Sequence, residues 1–276
     1  MTALRILVNG QPAEAISVFD RGLQFGDGLF ETIACIAGDM PFMKQHMRRL
    51  ATGCQRLAIP CPDKDLLVSE ARRVAAGQSR AIIKIIVTRG TSQRGYAFED
   101  VMAPNRIVVA NPWPTLPAGF WEQGVVLTRC LATLAQQPLL AGIKHLNRLE
   151  QVLARAELNG KDAQEGLLCD TEGNVIEATA HNLFLFRNGE FVTPSLARAG
   201  VEGIMREQVL DWLSSNGYKI HIADIRIEDL LAAESLFLCN SIHGIWPVRR
   251  FDETIYTVHN TIRELINRIA QLLPYQ

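Results

Sequence analysis

Three absences in this chain of 276 residues each exclude a class of protein. No apolar run approaches the roughly 20 residues of a membrane-spanning helix, and the N-terminus has no long apolar core of a signal peptide. The 28 Lys and Arg residues are matched by 29 Asp and Glu, so no basic excess favours nucleic acid. The six cysteines include no Cys-x-x-Cys pair, which argues against a disulfide scaffold and against a zinc site. We therefore expect a cytoplasmic protein without a membrane, nucleic-acid or metal partner.

The composition that remains is typical of a soluble globular protein, with 48% hydrophobic and 21% charged residues. The length favours two domains. Strand-like and helix-like patterns are mixed in both halves, which predicts an α+β (mixed α/β) fold. Three prolines lie between Asn111 and Gly119, so we place a linker at 112–122. An N-terminal α/β domain then covers 1–111, and a C-terminal α/β domain covers 123–276.

Periodicity predicts the following elements in the first domain: strands at 5–8, 15–18, 31–37, 81–88 and 106–110, and helices at 44–57 and 63–76. Asp63 is a suitable N-cap for the second helix. The strand at 81–88 is apolar except for Lys84, which we interpret as a structural strand residue.

The second domain is expected to contain strands at 125–129, 165–169, 175–177, 182–186, 191–193, 219–223 and 235–238, and helices at 146–158, 204–214, 228–232 and 257–273. Asn188-Gly189 predicts a two-residue hairpin turn of type I′.

Lys144 is the strongest candidate for a reactive residue. It follows the apolar stretch Leu139–Ile143 and precedes a strongly helical run. A lysine at such a position can be desolvated, which makes its amine a nucleophile or a Schiff-base former. The alternative is an ordinary solvated lysine ahead of a surface helix, and the choice depends on the rest of the chain.

An enzyme that uses pyridoxal phosphate needs a lysine for the aldehyde, a carboxylate for the pyridine nitrogen and donors for the phosphate. Glu177 ends an apolar strand and precedes small residues, although a surface carboxylate at a strand end would have the same pattern. Gly203 precedes a helix whose first residues, Ile204 and Met205, offer free N–H groups. Further phosphate donors are expected from these residues: Asn240, Ser241 and Arg49.

These segments, in this order, resemble the fold-type IV pyridoxal-phosphate enzymes, the family of branched-chain aminotransferases, D-amino acid aminotransferases and 4-amino-4-deoxychorismate lyases. The resemblance covers nearly the whole chain and begins at Asp20-Arg21-Gly22 and Phe25–Glu31. It implies the family's two-domain fold, a homodimer and bound pyridoxal 5'-phosphate. By the same resemblance, Lys144 is the Schiff-base lysine and Glu177 the partner of the pyridine nitrogen. The remaining matches are to phosphate-binding segments: His46-Met-Arg-Arg49-Leu50, Gly203-Ile204-Met205-Arg206 and Asn240-Ser241.

Within the family, Ile143–Leu153 and Thr88–Tyr96 look most like the lyase branch. The resemblance therefore implies conversion of aminodeoxychorismate to 4-aminobenzoate and pyruvate, a step towards folate. A D-amino acid or branched-chain aminotransferase is the alternative. Against it, Tyr96 stands where the D-amino acid enzymes carry a histidine, and Phe30 where they carry a tyrosine.

A substrate with carboxylates distant from its reacting amine requires cations that do not touch the cofactor. Arg94 is the first candidate, because it lies in a glycine-flanked loop after a buried strand. Arg106 and His145 are further candidates, and Phe30 is expected to contact the substrate. If Arg49 did not hold the phosphate, Arg206 would be the next candidate.

Overall fold

The computed structural model describes residues 5–99 and 102–273. Its contacts divide the chain into two compact units. The first contains the chain up to Pro114 together with Ile143–Asn147, and the second contains Thr115–Gly142 and the chain from Arg148 onwards. Lys144 therefore belongs to the first unit, whereas the sequence placed it in the C-terminal domain. Within the described residues, no helix is both long and apolar enough to cross a membrane.

The first unit is built on an antiparallel sheet of four strands, counted within its described residues, in the order β1-β4-β3-β2. The strands are β1 (Ile6–Val8), β2 (Gly28–Ile36), β3 (Arg80–Thr88) and β4 (Asn105–Pro112), and the helices are α1 (Arg21–Phe25), α2 (Met43–Arg56) and α3 (Lys64–Ala75).

The two faces of this sheet differ in burial. Burial alternates along β3, with Ile83 and Ile85 completely buried while Lys84 and Ile86 are half-buried. The buried face is covered by α2 and α3, which contact β2, β3 and β4. The Asp63 side chain accepts a hydrogen bond from the Leu66 N–H and so caps α3 as expected.

The second unit carries the remaining elements. Its strands are β5 (Val125–Leu134), β6 (Glu165–Asp170), β7 (Val175–Ala178), β8 (Asn182–Arg187), β9 (Glu190–Pro194), β10 (Ile220–Ala223), β11 (Ser235–Asn240), β12 (Gly244–Phe251) and β13 (Thr254–Ile255). Its helices are α4 (Gly119–Glu122), α5 (Leu149–Ala156), α6 (Ile204–Ser215), α7 (Ile227–Leu231) and α8 (Asn260–Leu272).

The described strands of this unit form one mixed sheet in the order β10-β9-β8-β11-β12-β5-β6-β7, with β13 paired to β12. Asn188 and Gly189 both have positive φ, at 53° and 79°, and they join β8 to β9 as a two-residue turn. The central strands are buried throughout, and the Phe184 and Phe237 rings of neighbouring strands stack with centroids 4.9 Å apart.

Two expectations about local structure are wrong, and two strands were not expected. Residues 15–18 are not a strand, because the chain turns there towards α1. The helix expected from residue 146 begins at Leu149, because the preceding residues pair with β2 instead. The strands β12 and β13 were not predicted at all.

The segment expected to be a linker, 112–122, is largely structured. Pro112 ends β4, and Phe120 and Trp121 lie on α4 and pack against the core of the second unit. The Trp121 Nε1–H also donates a hydrogen bond to the His243 carbonyl, at 2.8 Å. The second half of this segment is therefore part of the second unit.

Candidate active site

Lys144 lies on a short extension of the first unit's sheet. The Phe30 N–H donates to the Lys144 carbonyl at 2.9 Å, and the Leu146 N–H donates to the Gly28 carbonyl at 3.0 Å. Leu29 and His145 form the antiparallel bridge between these bonds. This register places Lys144 opposite Phe30, and its Nζ lies 4.5 Å from the centroid of the Phe30 ring.

The glycine-rich loop before β2 allows this segment to dock. Gly26 has a φ of +66°, and a Cβ built there would lie 2.4 Å from the Asn147 Oδ1. The Asn147 Nδ2 also donates to the Gly26 carbonyl at 3.3 Å. A larger residue at position 26 would therefore displace the chain just beyond Lys144, which explains why the loop needs glycine there.

Glu31 connects β2 to α2 through a buried charged network. Its carboxylate accepts two hydrogen bonds from Arg49, from Nε at 2.9 Å and from Nη2 at 2.5 Å, and it lies 2.7 Å from the His46 Nδ1. Burial raises the pKa of Glu31, but the charge and hydrogen bonds of Arg49 and those of His46 outweigh it and lower the pKa to about 2. Arg49, the expected phosphate ligand, is thus fixed on α2 by a two-pronged ion pair.

The loop that carries Arg94 is held by a residue that the sequence reasoning gave no role. The buried Arg21 guanidinium donates to the carbonyls of Gly95, Tyr96 and Ala97 at 2.9–3.2 Å. Arg94 itself is exposed. The sequence signal for Arg21 was its place in the Asp-Arg-Gly landmark, which indicated the family but not this contact.

Two residues that were expected to bind substrate do not lie on the face of the sheet that carries Phe30. Arg106 donates to the buried Glu70 carboxylate, with Nη2 to Oε1 at 3.0 Å, so it belongs to an ion pair between β4 and α3. His145 pairs with Leu29, whose side chain faces Gly53 of α2, and this register directs His145 to the helix-covered face. Neither residue shares the face of Phe30, and substrate binding by Arg106 or His145 stays a prediction.

In the second unit, Glu177 lies at the end of β7 and is 5% exposed. The Val201 N–H donates to its Oε2 at 2.9 Å, which orients the carboxylate. Burial lowers the pKa of Arg148, and the negative charges of Glu177 and Glu150 oppose that shift. Arg148 is thus a charged neighbour of Glu177 that the sequence reasoning missed, although it lies only four residues after Lys144.

The start of α6 has the geometry expected of an anion-binding cradle. Gly203 is the N-cap and has no side chain to occupy the first N–H groups of the helix, which include those of Ile204 and Met205. A Cβ on Gly203 would lie 2.0 Å from the Asn182 Oδ1, while the Asn182 Nδ2 donates to the Val201 carbonyl at 2.9 Å. Asn182 therefore fixes the approach to this helix and excludes a larger residue at 203.

Arg206 connects helix α6 to strand β9. Its guanidinium is buried and donates to the Thr193 Oγ1 at 3.3 Å and to the Pro194 carbonyl at 3.1 Å. These bonds attach α6 to β9. Two of its donor atoms, Nε and Nη2, are thus used within the protein, and a role for Arg206 in place of Arg49 at the phosphate stays a prediction.

Asn240 and Ser241 occupy the turn between β11 and β12. The Asn240 Oδ1 accepts the N–H groups of Ile242 and His243, at 2.9 and 2.7 Å, and so closes the turn. The Asn240 Nδ2 donates to the Ala180 carbonyl at 3.1 Å. With its side chain used in this way, Asn240 can contribute to a phosphate site by holding the backbone of the turn.

Behind this turn lies a buried polar cluster that was not predicted. His181 lies 3.3 Å from the Glu165 carboxylate through Nδ1 and 3.1 Å from the His243 Nδ1 through Nε2. The His243 and Trp246 rings stack with centroids 4.4 Å apart. Burial lowers the pKa of His243 to about 3, and its electrostatic interaction with His181 acts in the same direction. Two histidines 62 positions apart gave no pattern in the sequence by which the cluster could be found.

The chain is similar in sequence and fold to known proteins. The family model for class IV amino-transferases matches residues 28–251. The aminodeoxychorismate lyase of Vibrio harveyi is 38% identical over 241 residues, which cover 87% of this chain and 89% of that protein. The crystal structure of 4-amino-4-deoxychorismate lyase from Pseudomonas aeruginosa has 45% identity and a TM-score of 0.92, covering 96% of this chain and 98% of that one. The branched-chain amino acid aminotransferase of Escherichia coli shares the fold, with 22% identity and a TM-score of 0.88 over 100% and 96% of the two chains.

Proposed function

Because this chain belongs to the class IV aminotransferase family, we propose that it is a pyridoxal-phosphate-dependent lyase that converts 4-amino-4-deoxychorismate to 4-aminobenzoate and pyruvate. Membership confirms the family expected from the sequence motifs, and the structural matches confirm the mixed α/β fold-type IV architecture. The observation that supports the lyase activity most is the likeness to the Pseudomonas aeruginosa lyase over 96% of the chain.

The residues present fit the cofactor. It needs an amine, which Lys144 can supply beside Phe30, and a carboxylate held in a fixed orientation, which Glu177 supplies through its bond from Val201. It also needs a phosphate cradle, and the N–H groups that follow Gly203 are donors of the required kind. When bound, pyridoxal phosphate supplies an electron-withdrawing ring that stabilises negative charge at the carbon carrying the reacting amine.

In this proposal, Lys144 has two tasks. Its amine would hold the cofactor in the resting enzyme, and in the complex with substrate the same amine would remove the proton from C4 of the substrate. The C3–O bond breaks, the ring becomes aromatic, and the enolpyruvyl group leaves. Lys144 returns a proton to the methylene carbon of that group, which gives pyruvate.

Glu177 and the phosphate ligands act by position and charge. Glu177 is proposed to keep the ring nitrogen of the cofactor protonated, because an ionised carboxylate beside that nitrogen favours its cationic form. Arg49, Ile204, Met205 and the Asn240-Ser241 turn are proposed to hold the phosphate.

The competing activity is amino transfer from a D- or branched-chain amino acid, since Arg94 retains one half of the D-amino acid carboxylate clamp and the same fold serves both reactions. The experiment that separates them uses purified protein loaded with pyridoxal phosphate. One sample receives 4-amino-4-deoxychorismate, and the other receives D-alanine or leucine with 2-oxoglutarate. Formation of 4-aminobenzoate and pyruvate in the first sample, with glutamate formation at least a hundredfold slower in the second, supports the lyase; the reverse ratio refutes it.

We also propose that the protein is a homodimer. The support is a group of exposed apolar side chains on and beside α5, where Leu131 is 91%, Leu149 76%, Val152 59% and Leu153 62% exposed. The Leu131 N–H donates to the Glu157 carboxylate, which places this residue beside the end of α5. Exposed apolar clusters of this kind are typical of interaction surfaces.

Sedimentation velocity tests this surface. The wild-type protein should sediment as a dimer of about twice 30.7 kDa, and Leu153→Glu should shift it towards the monomer. Ile255→Glu, at another exposed apolar residue on β13, is the matched control and should remain dimeric. A wild-type monomer at micromolar concentration would contradict the proposal.

A further inference from the structure

Glu165 and His181 are ionisable residues that are almost completely buried, 4% and 3% exposed, and the proposed reaction does not use them. Glu165 begins β6, and His181 directly precedes β8. Burial raises the pKa of Glu165, but its interaction with His181 and the hydrogen bond that Thr179 donates outweigh burial and lower that pKa. Glu165 is therefore an ionised carboxylate inside the second unit, and it can only accept hydrogen bonds.

This carboxylate fixes the position of the proton on the His181 ring. The His181 Nδ1 lies 3.3 Å from the Glu165 Oε1, and a carboxylate attracts the protonated form of that nitrogen and repels its lone pair. In the neutral ring the other nitrogen, Nε2, is then an acceptor. The Asn240 Nδ2 lies 2.9 Å from Nε2 and can donate to it, and the His243 Nδ1 lies 3.1 Å from the same atom. His181 thus joins a buried carboxylate to the turn between β11 and β12.

The contact with His181 decides which way the Asn240 amide points. Its Nδ2 faces the His181 ring, and the Ala180 carbonyl accepts from the same nitrogen at 3.1 Å. The amide oxygen must then point to the other side, where it accepts the N–H groups of Ile242 and His243. An amide rotated by half a turn would place its NH₂ group against those N–H groups, and the turn could not close.

His181 and Asn182 are adjacent, and they fix the two segments of the second unit that are expected to bind phosphate. Asn182 pairs with Cys239 in the antiparallel ladder between β8 and β11, so His181 comes opposite Asn240 at the end of that ladder. Asn182 itself donates to the Val201 carbonyl and fixes the approach to α6. Two consecutive residues therefore hold the turn after β11 and the start of α6.

We propose that His181 is a positioning residue for phosphate binding, which holds the Asn240 amide in one orientation and so keeps Ser241 in place to contact the phosphate of pyridoxal phosphate. This inference rests on the proposed function, because the cofactor is the source of that phosphate. Glu165 belongs to the same arrangement, since it fixes the proton of the His181 ring.

The test separates the phosphate from the rest of the cofactor by comparing pyridoxal 5'-phosphate with pyridoxal, which lacks the phosphate. The Kd of each compound is measured by absorbance titration of the full-length protein after its cofactor has been removed. The ratio of the Kd of pyridoxal to the Kd of pyridoxal 5'-phosphate measures how much the phosphate contributes to binding.

Three variants are compared with the wild type. His181→Leu removes both ring nitrogens and keeps an apolar side chain in their place, whereas His181→Gln keeps an acceptor near the end of the side chain. Ser235→Ala is the matched control, because it removes a buried hydrogen bond at the opposite end of β11.

His181→Leu should raise the Kd of pyridoxal 5'-phosphate about ten- to a hundredfold, which is the effect of losing one hydrogen bond to a charged group. The Kd of pyridoxal should change less than threefold, so the ratio falls. His181→Gln should recover the ratio to within threefold of the wild type, and Ser235→Ala should leave it unchanged. A residue that only stabilises the fold would raise both constants equally in His181→Leu, and that result would overturn the proposal.

A double variant tests whether His181 acts through Asn240. Asn240→Ala should lower the ratio as much as His181→Leu does, and the double variant should lower it no further, because both changes open the same turn. Two effects that multiply would show that His181 acts by another route. Asn240 is half-buried, so Asn240→Ala tests the turn even if His181→Leu does not fold, and an unchanged ratio in Asn240→Ala would also overturn the proposal.

The role of His181 and the lyase function fail separately. If the wild type forms no 4-aminobenzoate but the ratio falls tenfold in His181→Leu, the lyase function is refuted and the role of His181 stands. If the wild type is an active lyase and the ratio is unchanged in His181→Leu, only the role of His181 is refuted.

Discussion

Replacement of Glu31 by Gln tests how the charged network of α2 and β2 stabilises the fold. The ordinary pKa of this carboxyl is 4.5, and in the folded protein Arg49 and His46 lower it to about 2 against the effect of burial. The folded protein therefore keeps Glu31 ionised in a pH range where the unfolded chain takes up a proton. The resulting stabilisation is complete above pH 4.5 and is lost as the pH falls towards 2.

A pKa difference of this size corresponds to about 3 kcal/mol of unfolding free energy, of which about 2 kcal/mol is lost between pH 7 and pH 3. At pH 7 the variant should also be less stable than the wild type by about 3–5 kcal/mol, because Arg49 is left partly buried without its counter-ion. Domains of this size have enough stability, about 5–15 kcal/mol, for the variant to remain folded.

Urea unfolding followed by tryptophan fluorescence, at pH steps from 7 to 3, measures both effects. Burial also lowers the pKa of His46 below its ordinary value of 6.5, so this histidine reduces stability as the pH falls through 6.5, and the comparison is best made below pH 5. There the wild type should lose stability more steeply than Glu31→Gln, while the exposed control Glu253→Gln should follow the wild type. Parallel curves for wild type and Glu31→Gln would show that the network does not lower the pKa of Glu31 and would refute the reasoning.

Three further predictions concern the cofactor. Borohydride reduction of the loaded enzyme should attach the cofactor to Lys144, and peptide mass analysis that found it on another lysine would overturn the assignment. Glu177→Gln should retain the cofactor but slow turnover markedly, because a neutral pyridine withdraws electrons less well; turnover equal to the wild type would remove Glu177 from the site. Gly203→Ala should weaken cofactor binding at least tenfold by displacing Asn182, whose Oδ1 would lie 2.0 Å from the new Cβ; an unchanged Kd would show that α6 does not hold the phosphate.

Most strands and helices could be predicted from local patterns, because their apolar periodicity and turn residues are local properties. The Asn188-Gly189 turn and the Asp63 cap are examples, since each depends on residues close in sequence. The start of α5 could not be predicted, because residues 144–146 have helical propensity and yet pair with β2, more than a hundred positions earlier. The tertiary contact overrides the local preference there.

Contacts between residues distant in sequence also decide the roles of the arginines, and local patterns do not reveal these contacts. Arg94 and Arg106 looked alike in sequence, as arginines near the end or the start of a strand. Only the fold shows that Arg106 faces the buried carboxylate of Glu70, while Arg94 is exposed on a loop held by Arg21. The contacts that decide these roles are distant in sequence: Glu70 lies 36 positions from Arg106, and Arg21, which holds the loop of Arg94, lies 74 positions from Gly95.

Lys84 shows why an apolar strand does not reveal which of its faces is buried. Residues 81–88 are apolar on both faces apart from this lysine. The alternation of residue types therefore does not show which face of the strand is buried, and the sequence alone favours a structural role for Lys84. Pairing with β2 and β4 supplies the missing information, because the partners of Ile83 and Ile85 lie on the face covered by helices, while those of Lys84 lie on the face of Phe30. Lys84 is half-buried beside an aromatic ring, and no carboxylate partner is present among the described residues.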